Sequence, residues 1–262
     1  MDLGLHRRTA IVLGASRGLG RAIAASLAAE GANVLLCSRS ADTLASVGAE
    51  LDSLGSGRIA FHAADLATPG AATAIHAAAE EQIGPVDILV NNGGGPPPGP
   101  VAGAERATWE EQFQAMVTPF FELGNLVLPG MRDRGWGRIL SVVSSGVIQP
   151  IPNLGLSNAL RASVVGWSKT LANEVAGDGV TVNCLAPGRI ATDRTASLDA
   201  KTAERQGISV EEVERNSRTL IPAGRYGDPR EFGDTAAFLV SERGSYITGS
   251  VIRVDGGLIK SI

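Results

Sequence analysis

A doubly wound α/β fold, a parallel sheet with helices on both faces, is predicted by three features of the 262-residue chain. Short apolar runs alternate with stretches of helical apolar spacing, an order that demands crossover connections and therefore parallel strands. The runs are apolar enough for strands covered on both faces. A glycine-rich turn, Gly14-Ala15-Ser16-Arg17-Gly18-Leu19-Gly20, lies directly between the first strand and the first helix.

The first strand is predicted over 9–13, and the helix after the glycine turn runs over 19–29 until Gly31 stops it. A second strand follows over 33–37, then a helix over 42–54 closed by Gly55, then a third strand over 58–63. The alternation continues with a helix over 71–82, a strand over 86–90, one long helix over 105–132 carrying Pro119, and a strand over 138–143. A helix over 158–176 and a strand over 181–185 come next; a helix over 229–240 with Pro229 at its start and a strand over 250–254 complete seven strands. No internal repeat or low-complexity linker divides the chain, so residues 1–262 are expected to form one dinucleotide-binding domain. Two segments break the rhythm. Residues 93–103 are rich in Gly and Pro, with Gly-Pro-Pro-Pro-Gly-Pro at 95–100 either walling a substrate mouth or making a rigid surface connection. Residues 189–225 form a polar insertion with weak helical patterning, of a length that marks a substrate loop or lid, and Ser209 with Glu212 reads as a capping box inside it.

Composition narrows the function. With 44% apolar and 19% charged residues the chain is not disordered, and with 4% aromatics and a net charge of −4 it lacks the stacking rings and basic excess of a nucleic-acid binder. The two cysteines, Cys37 and Cys184, suit neither a disulfide scaffold nor a zinc site, and His6, His62 and His76 have no ligand spacing, so no metal is expected. Neither a signal peptide nor an apolar membrane span is encoded, and a cytoplasmic protein acting on a small molecule, with no nucleic-acid or membrane partner, is expected. Trp109, Trp136 and Trp167 read as core or subunit-contact residues rather than substrate stackers.

The glycine turn carries the first chemistry. Gly14, Gly18 and Gly20 allow a tight turn, close backbone approach to a pyrophosphate and close packing of helix on strand. At the tip of the second strand an acid would hold a ribose 2′-hydroxyl, whereas a base would hold a 2′-phosphate. Here the chain reads Cys37-Ser38-Arg39, and Arg39 with Arg17 makes a fork for phosphate oxygens, so NADP(H) is favoured over NAD(H). Asp65 is either an acceptor for the adenine amino group or a turn cap, and Asn91 either a wall beside the cofactor ribose or a strand-end turn residue.

These blocks together resemble the short-chain dehydrogenase/reductase family, from the first strand to the last. Residues 14–20 resemble its glycine turn, Asp65-Leu66 its adenine contact, Asn91-Asn92-Gly93-Gly94 its Asn-Asn-Ala-Gly block, and Pro187-Gly188 with Thr192 its nicotinamide-side loop. The C-terminal signatures are met by Gly224-Arg225-Tyr226-Gly227-Asp228-Pro229 and by the stretch from Ile247-Thr248-Gly249 to Gly257. The resemblance implies a Rossmann fold and cofactor contacts at Gly14, Ser16, Arg17, Gly18, Leu19, Gly20, Ser38, Arg39, Asp65, Leu66, Asn91, Asn92, Gly93, Pro187, Gly188, Ile190 and Thr192. It also implies a homotetramer or dimer built on the long fourth helix and the helix after Ser157.

The catalytic block departs from the family. Its members use an Asn-Ser-Tyr-Lys set in which the Tyr, four residues before the Lys, protonates the substrate oxygen as hydride arrives. The flanks place Ser144 at the Ser position, Ser157 at the Tyr position, Arg161 at the Lys position and Met116 at the Asn position. A serine hydroxyl donates a hydrogen bond but is a poor proton donor, and an arginine keeps the cation without relaying a proton. Loss of a general acid removes about 10²–10⁴ in rate without touching hydride positioning. Tyr226 and Tyr246, the only tyrosines, both sit in stretches that read as structural. Two functions are therefore expected to compete: an atypical NADP(H)-dependent reductase resembling 3-oxoacyl-carrier-protein reductases, with Ser144, Ser157 and Arg161 polarising a carbonyl, or delivering hydride to an iminium or activated alkene; and a catalytically silent nucleotide-binding scaffold or cofactor sensor.

Overall fold

The computed structural model of the chain describes residues 2–261. Its strands are β1 (Thr9–Leu13), β2 (Asn33–Ser38), β3 (Ile59–Ala63), β4 (Ile88–Asn91), β5 (Gly137–Val142), β6 (Val180–Pro187) and β7 (Val251–Val254). All pair in parallel in the order β3-β2-β1-β4-β5-β6-β7. The connecting helices are α1 (Gly18–Ala29), α2 (Ala41–Leu51), α3 (Ala71–Gln82), α4 (Arg106–Met116), α5 (Thr118–Asp133), α6 (Gly155–Val175), α7 (Asp193–Gln206), α8 (Val210–Leu220) and α9 (Pro229–Leu239).

The period-two geometry of a strand sends neighbouring side chains to opposite faces, and two cores result. Ala10, Val12, Val34, Leu36, Ile88 and Val90 face a layer containing Ile23 and Leu27 of α1, Leu44 and Leu51 of α2 and Phe232 of α9. Ile11, Leu13, Leu35, Leu89, Ile139 and Val182 face Ile75 of α3, Leu123 and Val127 of α5 and Val164 and Leu171 of α6. The doubly wound Rossmann architecture predicted from the sequence is the one observed.

Two expectations change. The single helix predicted over 105–132 is two helices, α4 and α5, broken at Val117 (φ −118°, ψ −55°). Pro119 has no N–H to donate back into the preceding turn and is tolerated in the first turn of a new helix, where that donor is orphaned anyway. The insertion over 189–225, weakly patterned in sequence, holds two capped helices. Thr192 accepts from Thr195 N at the start of α7, Gly207 ends it at φ 68°, and Ser209 accepts from Glu212 N at the start of α8.

The β1-to-α1 turn depends on glycine at position 20, where a Cβ would stand 2.2 Å from the carbonyl oxygen of Gly14 and 2.6 Å from Asn92 Nδ2. Gly20→Ala is therefore expected to destabilise the fold by about 1–3 kcal/mol through overpacking, read as a lower urea midpoint with an unchanged m-value.

Candidate active site

The cleft forms where the chain changes direction across the sheet. From β1 it winds outward through β2 to β3, then crosses back to β4 on the other side of β1, leaving a crevice at the carboxyl ends of β1 and β4. Gly14 (φ 62°) and Gly18 (φ 55°) turn the chain into α1, whose first turn has neither a side-chain cap nor an acidic residue. Its orphan N–H groups and the positive end of its dipole point to an anion, as a pyrophosphate requires. Asn92 closes the other wall, donating from Nδ2 to Leu13 O at 3.1 Å and more weakly to Gly14 O at 3.5 Å.

At the tip of β2, Ser38 Oγ is buried with no hydrogen-bond partner among the described residues. Arg17 and Arg39 flank this region, both exposed. The unpartnered hydroxyl and the two cations fit a ribose 2′-phosphate better than a bare hydroxyl pair. Asp65 Oδ1 accepts from Ala67 N at 3.0 Å, which is the turn-capping role, while the exposed carboxylate retains acceptor capacity for an adenine amino group. Leu66 packs against the core beside it.

The remaining sequence-predicted cofactor residues separate into cleft and support. Gly94, beyond Gly93, opens onto space, with no atom within 4 Å of a Cβ built there. Thr192 lies over the glycine turn, its methyl 3.7 Å from where a Gly18 Cβ would be. Ser16 and Leu19, half-buried in the turn, belong to the same wall. Asn91, by contrast, is fully buried and donates across the sheet to Ser141 Oγ at 3.3 Å. Pro187 ends β6; Gly188 donates to Val254 O at 2.9 Å and packs so tightly on Asp255 that a Cβ would stand 2.6 Å from its Cα. Ile190 is buried against Gly227, to which its strand-like segment bridges.

Ser144 follows β5, Ser157 and Arg161 lie on α6, and Arg161 reaches the carboxyl ends of β4 and β5. Ser144 Oγ accepts the Gly146 N–H at 3.0 Å, which orients the hydroxyl and leaves its proton free to donate. Ser157 is buried in the first turn of α6, and Arg161 lies one turn further on. The Arg161 guanidinium donates from Nη1 to Val142 O at 2.8 Å and from Nη2 to Gly94 O at 3.3 Å. Burial, with the charge of Arg194 added, lowers its pKa to about 10, so it remains cationic at neutral pH. Met116 is buried in the core and brings no polar group to this edge. The two thiols are inert: burial raises both, Cys184 to about 11.

Three residues that sequence reasoning did not single out complete the site. Asn158 clamps the chain before α6, donating from Nδ2 to Ile151 O at 3.0 Å and accepting from Ile151 N at 3.4 Å. Arg194 extends from α7 to the proline-rich loop, with Nη2 at 3.5 Å from Pro96 O. Asp199, fully buried inside the insertion, pairs with Arg189 and accepts the Tyr226 hydroxyl at 2.8 Å. Tyr226 is thereby committed to a structural bond, and burial raises its pKa. Tyr246 is fully exposed beside Gly135, Trp136 and Gly179, at the amino ends of β5 and β6, the edge of the sheet opposite Ser144. The proline-rich loop is pinned beside α6, with Gly99 N donating to Asn153 O at 2.8 Å and Gly155 N to Gly99 O at 3.0 Å.

This frame is that of a dinucleotide-binding oxidoreductase. Residues 14–259 match the family described as enoyl-(acyl carrier protein) reductase, and the chain belongs to the short-chain dehydrogenase/reductase family. It is 37% identical over 260 residues to the 3-oxoacyl-(acyl-carrier-protein) reductase FabG of Vibrio cholerae, covering 98% of this chain and 99% of that one. It is 33% identical to the NADPH-dependent reductase BacG of Bacillus subtilis, covering 98% of this chain and 100% of that one. Among solved structures it resembles the L-sorbose reductase of Gluconobacter frateurii in complex with NADPH and L-sorbose, with a TM-score of 0.94, 32% identity and full coverage of both chains. No helix among the described residues is long and apolar enough to cross a membrane.

The buried Asp199 contact ties α7 to the segment around Tyr226. Asp199→Ala is expected to lower the local stability of the insertion by about 2 kcal/mol, the scale of a lost charge-assisted hydrogen bond. Hydrogen exchange would then accelerate in α7 and α8 while protection in β1, β4 and β5 is retained.

Proposed function

We propose that the protein is an NADP(H)-dependent oxidoreductase that reduces the carbonyl group of a small molecule. The observation that carries this reading is the half-buried Arg161 guanidinium bonded to Val142 O and Gly94 O at the carboxyl ends of β5 and β4, beside the glycine turn, with Ser144 just beyond β5 in the chain and Ser157 one turn earlier on α6. NADP(H) is favoured by Arg17, Arg39 and the unpartnered Ser38 hydroxyl, and by relatives described as NADPH-dependent or NADPH-bound. The cradle for the cofactor is the glycine turn from Gly14 to Gly20 together with Ser16, Leu19, Asn92, Gly93 and Thr192.

The nicotinamide cofactor, held by the glycine turn with Asn92 and Thr192, would supply a hydride for the carbonyl carbon when bound in its reduced form. Ser144, whose oxygen already accepts from Gly146 N, directs its own proton at the carbonyl oxygen. Arg161 uses two of its five N–H groups on backbone carbonyls and retains others for the charge that develops on that oxygen. Ser157 adds a hydroxyl donor one turn earlier on α6. None of the three transfers a proton readily at neutral pH, so water completes protonation, and the same arrangement serves hydride addition to an iminium or activated alkene, which needs less help from an acid. The insertion over 189–225 acts as the substrate loop, with Thr192, at the start of α7, over the glycine turn. Self-association fits the aromatic surface of α4 to α6, where Phe113 is exposed and Phe121 stacks on Trp167 with ring centroids 4.8 Å apart.

One observation favours the competing reading, a nucleotide-binding scaffold without turnover: Met116 is packed into the core where the family carries a polar residue. NADPH consumption followed by absorbance across ketones, imines and enones separates the two, since binding without hydride transfer to any acceptor would sink the reductase reading. The paired change Ser157→Tyr and Arg161→Lys is expected to raise ketone reduction by about 10²-fold or more, because only the acid is restored. Arg39→Ala is expected to weaken NADPH binding about tenfold, or ~1.4 kcal/mol, while leaving NADH binding unchanged, as measured by calorimetry.

A further inference from the structure

Arg161 and Arg194 come from different elements, α6 and the first turn of α7, and converge on one stretch of backbone. Arg161 Nη2 lies 3.3 Å from Gly94 O, and Arg194 Nη2 lies 3.5 Å from Pro96 O. Between them, Arg194 Nη2 would stand 2.9 Å from a Cβ at Gly95. The two guanidinium groups are close enough that the charge of Arg194 depresses the pKa of Arg161, after burial.

Neither cation takes part in any ion pair among the described residues, although the insertion itself is laced with them: Arg189 with Asp199, Arg218 with Glu214 and Arg225 with Glu231. Asp193, beside Arg194 in sequence, is exposed and pairs with neither. Among the described residues, the hydrogen bonds of the pair all go to neutral carbonyl oxygens, those of Val142, Gly94 and Pro96. Two like charges held together this way repel, and an anion seated between them relieves the repulsion. Gly94 leaves open space at the same place. Two planar forks on carbonyls two residues apart, beside open space at Gly94, match the two oxygens of a carboxylate.

We propose that Arg161 and Arg194 form a seat for a carboxylate of the substrate, so that the preferred substrates are small oxo acids rather than neutral ketones. The proposal rests on the reductase reading for the reaction but concerns binding alone. Because Arg161 also faces the developing oxyanion, the carboxylate must lie within one or two carbons of the carbonyl, as it does in 2-oxo and 3-oxo acids. Arg194, on the insertion, already held against Pro96 O, supplies the second cation.

The probes are acetoacetate and its ethyl ester, titrated calorimetrically into the full-length protein with and without saturating NADP+. The expected result is that acetoacetate binds about tenfold or more tighter than the ester, that Arg194→Gln removes this preference, that Arg194→Lys restores part of it, and that NADP+ affinity is the same in all three proteins. Equal affinity for acid and ester, binding of neither, or a preference that survives Arg194→Gln would overturn the proposal. So would a loss of NADP+ affinity in Arg194→Gln without loss of the acid preference, which would place Arg194 on a cofactor phosphate. Failure of the reductase reading shows separately, as no NADPH consumed with either compound whatever the binding preference.

Discussion

The structure depends on how closely three backbone segments approach at the carboxyl ends of β1 and β4. Gly20 in the first turn of α1 comes within van der Waals reach of the Gly14 carbonyl because it has no Cβ, and Asn92 spans the gap from β4 with an amide bond to Leu13 O. This contact sets the angle at which α1 leaves the sheet, and hence where its uncapped N-terminus points. It also brings the end of β4 beside the glycine turn, so the Gly93-Gly94 stretch opens next to the pyrophosphate site. Everything that follows, from the position of Arg161 against Gly94 to that of Thr192 over Gly18, is measured from this junction.

Most of the fold was readable because its determinants are local. Apolar runs of five or six residues, Gly after helices, and Pro229 at a helix start each act within a few residues of themselves. The residues proposed for the cofactor could be named for the same reason, since the glycine turn and the tip of β2 are each a short continuous stretch of chain. The reading failed where long-range packing decides. Pro119 sits in an otherwise continuous helical pattern, and whether it kinks or restarts a helix depends on what α4 and α5 bury. Arg194 and Asp199 were not singled out because nothing in a polar stretch marks one charge as buried or aimed at a loop a hundred residues away. Asn91 and Asn92 are adjacent and alike in sequence, yet the strand's alternation buries one against Ser141 and turns the other to the glycine turn.

The catalytic edge illustrates a different division of labour from one built on a titrating phenol. A tyrosine acid works through its proton, and its neighbours exist to set its pKa. On the proposed reading, Ser144, Ser157 and Arg161 would work instead through fixed dipoles and a permanent charge, which lose nothing as pH changes across the neutral range. Such a site is best matched to acceptors whose reduced form is already a weak base, or whose charge is shared with a neighbouring anion. Arg194 extends the same electrostatic logic outward to the mouth of the cleft.

The bonding of the proline-rich loop to the chain before α6 has a further consequence. Gly99 is held on both sides by backbone groups, Asn153 O and Gly155 N, and the prolines around it need no partners of their own. The loop is thus anchored largely through main chain, together with the buried Pro96. The exposed Pro97 and Pro100 are therefore the positions where side chains of other size or polarity would cost the least stability, so changes there would alter the loop's surface with the least disturbance to the cofactor frame.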